Sequence, residues 1–321
     1  MDLDPDVVRF RDRQIAQGFA GYLDAGPEAA REVSRAVTRW RQAVLDTTGA
    51  TGTVDPVRAV ESLRIPSGSS TLRARIYRPV GEAVGVVTYF HGGGFVVGDL
   101  DTCDWQCRAL AARTGVVVVS IDYSLAPEHP FPVAVNEAYD AVRWVCANET
   151  GPHGVHLPQA VAGDSAGGNL AATVAVVARD DDDVDLRAQL LIYPMLDPGM
   201  SFPSIVENGA GYMLDRATIE WFWRHYLGGM FPSPAAAARP LTARLDGLAT
   251  AIVVTAGFDP FRDEGEEYAR LLAEAGVPTR LMRYPTLVHG FFGWGAHVTA
   301  AQHAVDDVSA ALREVLTQVP A

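Results

Sequence analysis

A serine within a glycine-rich segment is the strongest chemical signal in the chain. Residues 163–167 read Gly-Asp-Ser-Ala-Gly, between a β-prone run at 159–162 and a helix-like run that starts at Ala166. A sharp strand-to-helix turn imposes unusual backbone angles on its serine and leaves room only for small neighbours. The hydroxyl then projects from the start of a helix, where free amides stabilise developing negative charge. The segment predicts that Ser165 is a nucleophile.

A second segment offers backbone amides. Residues 91–95 read His-Gly-Gly-Gly-Phe and follow the strand candidate 84–90. Three consecutive glycines are costly in conformational entropy, but they let N–H groups approach a substrate oxygen without a Cβ in the way. The alternative interpretation is an ordinary flexible turn. Because His91 precedes the serine in the chain, we interpret it as a residue that orients this loop and not as a base.

An acid and a base follow in the order that a serine on such a turn requires, which is Ser, then Asp or Glu, then His. Asp259 follows the strand candidate 251–255, and His289 follows the strand candidate 279–284. Both therefore lie at carboxyl ends of strands, where sites of α/β proteins assemble. We expect Asp259 to orient His289, and His289 to take the Ser165 proton. The alternatives are an aspartate that caps a helix and a histidine satisfied within a loop.

The composition excludes several other mechanisms. The chain contains no lysine, which removes phosphate-binding loops that end in Gly-Lys-Ser/Thr, Schiff-base chemistry and Ser-x-x-Lys acyl-enzyme sites. Cys103, Cys107 and Cys146 match no zinc spacing and are too few for a disulfide framework, so we interpret them as reduced, buried, small hydrophobic residues. The aspartates at 180–183 lack the glycine of a calcium loop and predict a solvated helix exit. We expect neither a metal nor a cofactor.

Size and charge indicate a globular chain with a small-molecule partner. The 321 residues are 48% hydrophobic and 20% charged, with a formal net charge of −13. No apolar run approaches the ~18 residues of a transmembrane helix, and the first residues lack the basic and apolar regions of a signal peptide. The negative charge repels phosphate backbones and anionic head groups. We expect a cytoplasmic protein that binds neither nucleic acid nor membranes.

Strand and helix patterns alternate along most of the chain. The first fifty residues carry apolar residues at helical spacing, with Gly26-Pro27 separating two helices. A strand pair at 57–65 and 72–77 follows, and then strands alternate with helices. This alternation predicts the α/β class, with a mainly parallel sheet covered on both sides. Six further strand candidates occupy residues 84–90, 116–121, 159–162, 189–193, 251–255 and 279–284, and helix candidates occupy residues 102–112, 133–148, 166–179, 264–275 and 300–316.

An aromatic-rich stretch between Pro194 and Asp246 interrupts this alternation, because it contains no clear strand. We interpret it as a helical insertion over the sheet whose aromatic side chains pack against the first two helices. The alternative is that some of them also line a pocket. The aromatic residues are Phe202, Tyr212, Trp221, Phe222, Trp223, Tyr226 and Phe231.

The ordered motifs resemble the α/β-hydrolases of the hormone-sensitive lipase group, which includes bacterial family IV carboxylesterases. The resemblance implies that Ser165 is the nucleophile, Asp259 the acid and His289 the base. One departure is Ser124, where the family commonly has arginine, and it affects a supporting contact. The resemblance runs from about residue 60 to residue 292 and rests on residues 91–95 with 98–99, 122–123 with 125–128, 163–169, 259–260 with 262–264, and 289–291.

The same resemblance implies an oxyanion hole formed by the amides of Gly93, Gly94 and Ala166. It implies an α/β-hydrolase fold with a mainly parallel eight-stranded sheet, flanking helices and a helical cap. The implied boundaries are residues 1–50 for the N-terminal cap helices, 195–246 for the cap insertion, and 51–194 with 247–321 for the catalytic domain.

We therefore expect a cofactor-independent serine carboxylesterase that hydrolyses short- to medium-chain carboxylic esters, a range that the family resemblance implies. Its expected partner is a small-molecule ester, and the resemblance makes a homodimer one alternative for the oligomeric state. Two other functions stay open on this scaffold: an acyltransferase with the same triad, and a non-catalytic small-molecule receptor. Receptors that resemble this family lack the catalytic histidine, whereas this chain has His289.

Overall fold

The computed structural model describes residues 2–19, 22–48, 55–149, 156–231 and 239–318. Within these residues the strands form one sheet of eight, which confirms the predicted fold class. The strands are β1 (Ala59–Ser67), β2 (Ser70–Arg78), β3 (Val86–Phe90), β4 (Val117–Asp122), β5 (Gln159–Asp164), β6 (Leu186–Ile192), β7 (Thr250–Phe258) and β8 (Thr279–Val288).

The strand order is β1-β2-β4-β3-β5-β6-β7-β8. β2 pairs antiparallel with β1 and β4, and every other neighbouring pair is parallel. The order reverses at β3, so β5 and β4 lie on either side of it. The loops after β3 and β5 therefore leave the same edge of the sheet side by side, which brings the two glycine-rich segments together.

The sheet separates two hydrophobic cores. Side chains alternate along β3, so Val86 and Phe90 enter one core while Val87 and Tyr89 enter the other. Burial on both faces explains why the central strands are apolar along their length. Of the helices that cover the sheet, α4 (Val133–Asn148), α5 (Ala166–Ala178) and α8 (Arg262–Glu274) supply residues to the first core, and α3 (Asp104–Leu110) and α9 (Thr299–Thr317) supply residues to the second.

The N-terminal region contains the predicted division at Gly26-Pro27 and one further break. α1 (Pro5–Ile15) ends before it, and the helical stretch α2 (Tyr22–Thr48) is interrupted at Gly26, whose backbone angles are not helical. Gly26 has φ 71° there, a positive angle that glycine adopts without the strain of a Cβ. Gly26-Pro27 therefore separates two helical segments as predicted, and the break between α1 and α2 is an additional one that the sequence pattern does not predict.

The aromatic stretch is helical, with α6 (Ser204–Glu207) and α7 (Arg216–Leu227) in its described part. α7 packs against α2, where the rings of Tyr22 and Phe222 lie 5.8 Å apart. It also packs on the loop after β3, since the rings of Phe95 and Tyr226 are stacked at 3.6 Å. We call α1, α2 and residues 198–231 together the helical cover. No helix in the described ranges is long and apolar enough to cross a membrane.

Candidate active site

Ser165 occupies the sharp turn that the sequence predicts. β5 ends at Asp164 and α5 begins at Ala166, so one residue joins strand to helix. That residue has φ 56° and ψ −116°, an unusual combination for a residue with a side chain. Its amide donates to the Ile192 carbonyl over 2.9 Å, which ties the turn to the neighbouring strand β6. The Ser165 side chain is thus held at the carboxyl edge of the sheet, lining a cavity.

The structure brings the three predicted residues into one hydrogen-bonded row. His289 Nε2 lies 3.0 Å from Ser165 Oγ, and His289 Nδ1 lies 2.8 Å from Asp259 Oδ2. The three residues come from the loops after β5, β8 and β7. Asp259 is fully buried, whereas Ser165 keeps 7% of its surface exposed. A buried carboxylate on Nδ1 favours the imidazole tautomer whose Nε2 is free to accept the serine proton.

Two aromatic rings hold the imidazole in place. The Tyr193 ring lies 4.7 Å from the His289 ring, and the Phe261 ring meets it edge-on at 5.1 Å. The second carboxylate oxygen of Asp259 accepts a hydrogen bond from the Phe261 amide at the start of α8. Asp259 therefore uses one carboxylate oxygen to bind His289 and the other to accept the amide at the start of the helix. The triad interpretation and the capping alternative thus both apply to this residue.

The triple-glycine loop presents unused amides beside this row. Gly93 has φ 118° and Gly94 has φ 59°. A Cβ on Gly93 would lie 2.1 Å from the Val97 carbonyl oxygen, and one on Gly94 would lie 2.0 Å from Phe222. Within the described part of the chain, the amides of Gly93, Gly94 and Ala166 donate to no protein acceptor. They are therefore available to a substrate oxygen in the cavity that both glycines line.

His91 lies where the sequence analysis expects a loop-orienting residue. Its ring stacks on Tyr123 at 4.3 Å, and its Nδ1 lies 2.8 Å from the Gly92 carbonyl oxygen. The Tyr123 hydroxyl donates to the His91 carbonyl over 2.7 Å. These contacts hold the glycine loop in position. The imidazole that contacts Ser165 is that of His289 and not that of His91.

Asp164 links the serine turn to the glycine loop, a role that the sequence analysis does not assign. Its Oδ1 accepts hydrogen bonds from the Tyr89 hydroxyl over 2.7 Å and from the Gly92 amide over 3.0 Å. Burial raises the pKa of this carboxyl, and the hydrogen bond from Tyr89 opposes that rise. In the sequence, the position of Asp164 next to Ser165 is the one feature that could have indicated this role. Its partners come from β3 and the following loop, so only the tertiary structure shows the link.

The cavity in front of Ser165 has a volume of about 240 Å³ and two kinds of wall. The loops at the carboxyl edge of the sheet form one wall. The helical cover forms the other, which settles the question about the aromatic stretch: Phe222 lines the cavity, while Trp223 and Tyr226 are packed in the core. The cover residues that line it are Gln14, Tyr22, Ser34, Val37, Thr38, Arg41, Met213, Leu214 and Phe222.

The remaining candidates from the sequence play structural parts. Cys103 and Cys107 are buried and unbridged, and Cys146 is half-buried. Ser124, at the position where the family commonly has arginine, donates from its amide and hydroxyl to the Glu137 carboxylate. Among the described residues, no group of three or more His, Cys, Asp or Glu side chains is placed to hold a metal ion.

The aspartates at 180–183 follow the end of α5, and three of the four form ion pairs with arginines. Arg179 and Arg244 both contact Asp180, and Arg143 contacts Asp181 and Asp183. Most of their negative charge is therefore balanced by arginines at the surface.

Comparison with known proteins gives the family. The family model described as alpha/beta hydrolase fold matches residues 87–293. Esterase LipI of Mycobacterium tuberculosis is 41% identical over 322 aligned positions, which cover 98% of this chain and 95% of LipI. The ethyl acetate hydrolase of Pseudomonas putida is 37% identical over 258 positions, covering 77% of this chain and 79% of that protein. The structure of a hyperthermophilic esterase from Pyrobaculum calidifontis is 38% identical with a TM-score of 0.87, covering 98% of this chain and 99% of that one.

The chain belongs to the α/β-hydrolase fold family, in the group that resembles hormone-sensitive lipase. By class it is a carboxylic ester hydrolase. The predicted family, fold class and enzyme class are confirmed.

Proposed function

We propose that this chain is a serine carboxylesterase that works through an acyl-enzyme intermediate, with Ser165 as nucleophile, His289 as base and Asp259 as its orienting acid. The observation that carries the proposal is the hydrogen-bonded row of these three side chains beside unused amides. Hydroxyl, imidazole and carboxylate in this order form the arrangement by which serine hydrolases activate their nucleophile.

The reaction proceeds in two halves. In the first, Ser165 Oγ attacks the ester carbonyl carbon while His289 Nε2 takes the hydroxyl proton, and the carbonyl oxygen becomes an oxyanion. The oxyanion accepts hydrogen bonds from the amides of Gly93, Gly94 and Ala166. Collapse of this intermediate breaks the bond to the alcohol oxygen, which receives the proton from His289. The acyl group is then bonded to Ser165.

In the second half, water replaces the alcohol. His289 takes a proton from water, whose oxygen attacks the acyl carbon, and the same amides stabilise the second oxyanion. The bond to Ser165 Oγ breaks, Oγ regains its proton from His289, and the carboxylic acid leaves. The Asp259 carboxylate stabilises the imidazolium that forms in both halves.

The cavity supports short- to medium-chain acyl groups as substrates. Its volume of about 240 Å³ is below the ~300–1,000 Å³ typical of sites for drug-sized ligands. We assign residues 1–50 and 195–246 to a cap over the catalytic domain, because described residues from both segments line this cavity. The cap then limits the length of the acyl chain.

The Ser165→Ala variant tests the nucleophile. We expect kcat/KM for 4-nitrophenyl butyrate to fall by at least about 10⁴-fold with folding unchanged. A phosphonate ester should add one label per wild-type chain and none to the variant. The matched control is Ser309→Ala, because Ser309 is also buried but lies on α9 with its hydroxyl unpaired. Equal turnover in Ser165→Ala and wild type would overturn the proposal, and absence of turnover in wild type would favour the receptor alternative.

Added alcohol separates hydrolysis from acyl transfer. Both use the same acyl-enzyme, and they differ in which acceptor reaches it. With 4-nitrophenyl butyrate and 0.1 M methanol, a hydrolase gives mainly butyrate and an acyltransferase gives mainly methyl butyrate.

The family resemblance also suggests a homodimer. Sedimentation measurements test this proposal, because they distinguish one chain of 34.4 kDa from two.

A further inference from the structure

Arg41 on α2 places a positive charge in the wall of the catalytic cavity. Its Nε and Nη2 lie 3.2 Å and 2.9 Å from Gln14 Oε1 on α1. Its guanidinium carbon lies 5.7 Å from the centre of the Trp294 ring. A neutral amide oxygen and an aromatic face thus fix the orientation of the guanidinium, and neither neutralises its charge.

Arg41 has no carboxylate partner among the side chains that the structure describes, since none of these lies within 4 Å of its guanidinium nitrogens. Arg75 in the same neighbourhood shows the contrast, because it pairs with Asp101 at 2.7 Å and with Asp104 at 3.1 Å. Burial lowers the pKa of Arg41 to about 10, so the side chain stays protonated at neutral pH. A half-buried charge with no counter-ion among the described side chains is costly to the fold, which favours a role in binding.

A second cavity, of about 370 Å³, meets the catalytic cavity at Arg41. The two cavities share lining residues, and none of the triad residues lines the second one. Its carboxylates, Asp101 and Asp104, are those already paired with Arg75. The residues that line both cavities are Thr38, Arg41, Thr102, Gln106 and Gly293.

Two unused donors converge in this shared wall, above Gly293. A Cβ built on Gly293 would lie 3.0 Å from the Gln106 side-chain amide nitrogen and 3.8 Å from Arg41 Nη1. Neither Nη1 nor the Gln106 side chain donates to an acceptor within the described ranges of the chain. A guanidinium nitrogen and a side-chain amide therefore lie close together beside Gly293, where a side chain would crowd them, and these two groups are the donor set of a carboxylate site.

Asp164 is the one carboxylate among the described residues that line the catalytic cavity, and it belongs to the serine turn. Its Oδ1 accepts from the Tyr89 hydroxyl and from the Gly92 amide. Among the described side chains it makes no ion pair with Arg41. The guanidinium of Arg41 is therefore available to a carboxylate that enters with the substrate.

We propose that Arg41, with Gln106 above Gly293, binds a free carboxylate carried by the ester substrate. The preferred substrates are then esters that keep one free acid group, either on the acyl side, as in a half-ester of a dicarboxylic acid, or on the alcohol side, as in an ester of a hydroxy acid. This inference rests on the proposed esterase function, since it assigns the substrate class of the same cavity. Arg41 acts here in binding, at a distance from the reacting atoms.

The first test compares charged and neutral esters of equal shape on the wild-type enzyme. One arm pairs monoethyl adipate with ethyl adipamate, and the other pairs 5-acetoxypentanoate with its amide. We expect kcat/KM to favour the carboxylate over the amide by about 10- to 100-fold in one arm, the range of a charge-assisted hydrogen bond. The arm that responds identifies the side of the ester that reaches Arg41. Preference for the amide in both arms overturns the inference.

Variants then assign that preference to the residue. Arg41→Met should abolish the preference, so that kcat/KM falls at least about tenfold more for the carboxylate ester than for the amide ester. The matched control is Arg39→Met, because Arg39 is an exposed arginine on the same helix that lines only the second cavity. Gly293→Ala, which keeps the charge and adds a methyl group against the Gln106 side-chain amide, should lower kcat/KM for the anionic ester selectively, and it serves as the test if Arg41→Met does not fold. Equal losses on charged and neutral esters would show a structural role instead.

A binding measurement keeps this inference separate from the esterase proposal. Adipate should raise the Tm of the wild type and of Ser165→Ala, but not that of Arg41→Met or Gly293→Ala. If no ester is turned over while adipate still stabilises the wild type, the esterase proposal fails and the carboxylate site stands. If esters are turned over and adipate has no effect on the wild type, the carboxylate site fails alone.

Discussion

The two walls of the catalytic cavity are built on different principles. On the sheet side, Ser165, Asp259 and His289 each sit directly after a strand, so the hydrogen bonds between strands set their positions. On the cover side, residues such as Phe222 and Arg41 reach the cavity from helices held mainly by side-chain contacts. In the proposed function, the sheet wall carries the groups that make and break bonds, and the cover wall carries the groups that select the substrate.

The difference lies in how much each wall can change without loss of chemistry. A displaced strand end moves a reacting atom, and a misplacement of about 1 Å can cost ~10²-fold in rate. A changed side chain on the cover alters volume or charge in front of the reacting atoms. The variants below should therefore reduce activity on every ester when they affect the sheet wall, and change selectivity when they affect the cover.

The largest effect after Ser165→Ala should come from Asp259→Asn, which replaces the carboxylate by an amide of the same shape. An amide at this position favours the wrong imidazole tautomer, so we expect kcat to fall by about 10⁴-fold while folding persists. Initial rates and circular dichroism measure both. Asp263→Asn is the control, because Asp263 lies on the first turn of α8 and contacts the Ser204 amide, away from His289. Similar losses in the two variants would mean that Asp259 acts only through the helix start.

The next effect separates the two walls at adjacent residues. Gly93→Ala meets the Val97 carbonyl oxygen of its own loop, whereas Gly94→Ala meets the Phe222 ring of the cover. We expect either substitution to lower kcat/KM by about 10²- to 10³-fold by displacing oxyanion donors. Adding Phe222→Ala should restore much of the activity of Gly94→Ala and none of the activity of Gly93→Ala. The reason is that Gly94→Ala clashes with the Phe222 side chain, which this substitution removes, whereas Gly93→Ala clashes with a backbone carbonyl. Rescue of both, or of neither, would break the distinction between the walls.

Phe222→Ala alone should alter selectivity and stability. Loss of this buried ring should lower the free energy of unfolding by about 3 kcal/mol, as measured in urea. Turnover of acetate esters should stay within about fivefold, while longer acyl chains gain relative to acetate because the cavity widens. Phe231→Ala is the control, since Phe231 belongs to the same cover and does not line the cavity. If Phe222→Ala lost most of its turnover of acetate esters, the cover would be needed for the reaction itself, which contradicts the distinction between the two walls.

The smallest effect concerns Glu264, which is fully buried on the first turn of α8. Its Oε1 accepts from the Leu196 amide over 2.6 Å, and burial raises the pKa of its carboxyl well above the usual range. A group whose pKa is higher in the folded than in the unfolded state stabilises the fold at pH values below its unfolded pKa. This stabilisation is lost as the pH rises through the pKa of the folded state. Relative to Glu264→Gln, the wild type should therefore lose unfolding free energy as the pH rises above about 4.5, the ordinary pKa of the carboxyl.

Glu267→Gln supplies the opposite case on the same helix. Arg270 lowers the pKa of Glu267, so the wild type should gain stability over this variant as pH rises through the acid range. Urea unfolding at several pH values measures both trends. Parallel trends in the two variants would contradict the assignment of the raised pKa to burial.

Much of the sheet wall could be predicted from the sequence. The turn at Ser165 follows from local sterics, since only small residues fit beside a strand-to-helix corner. The order of Ser165, Asp259 and His289, together with the apolar strands before them, predicts that they share one edge of a parallel sheet. Helix α4 begins and ends at the residues the pattern predicts, because its apolar face is regular.

The cover was harder to predict than the sheet wall, because its contacts join segments that are far apart in the sequence. The pattern predicted the division at Gly26-Pro27 but not the further break between α1 and α2. The aromatic stretch could be predicted as helical, but periodicity does not separate Phe222 in the cavity from Trp223 in the core. Asp164 and Gly92, 72 residues apart, gave no signal of their hydrogen bond.

The sequence by itself determined the chemical groups and the edge of the sheet on which they meet, because strand burial and the strand-to-helix turn are local demands on neighbouring residues. Only the tertiary structure decided what the cavity admits. Arg41, which has no carboxylate partner among the described side chains, lines this cavity together with Phe222 and Gly293. Their neighbours in the cavity lie far away along the chain, and packing, which depends on all of them at once, sets their positions.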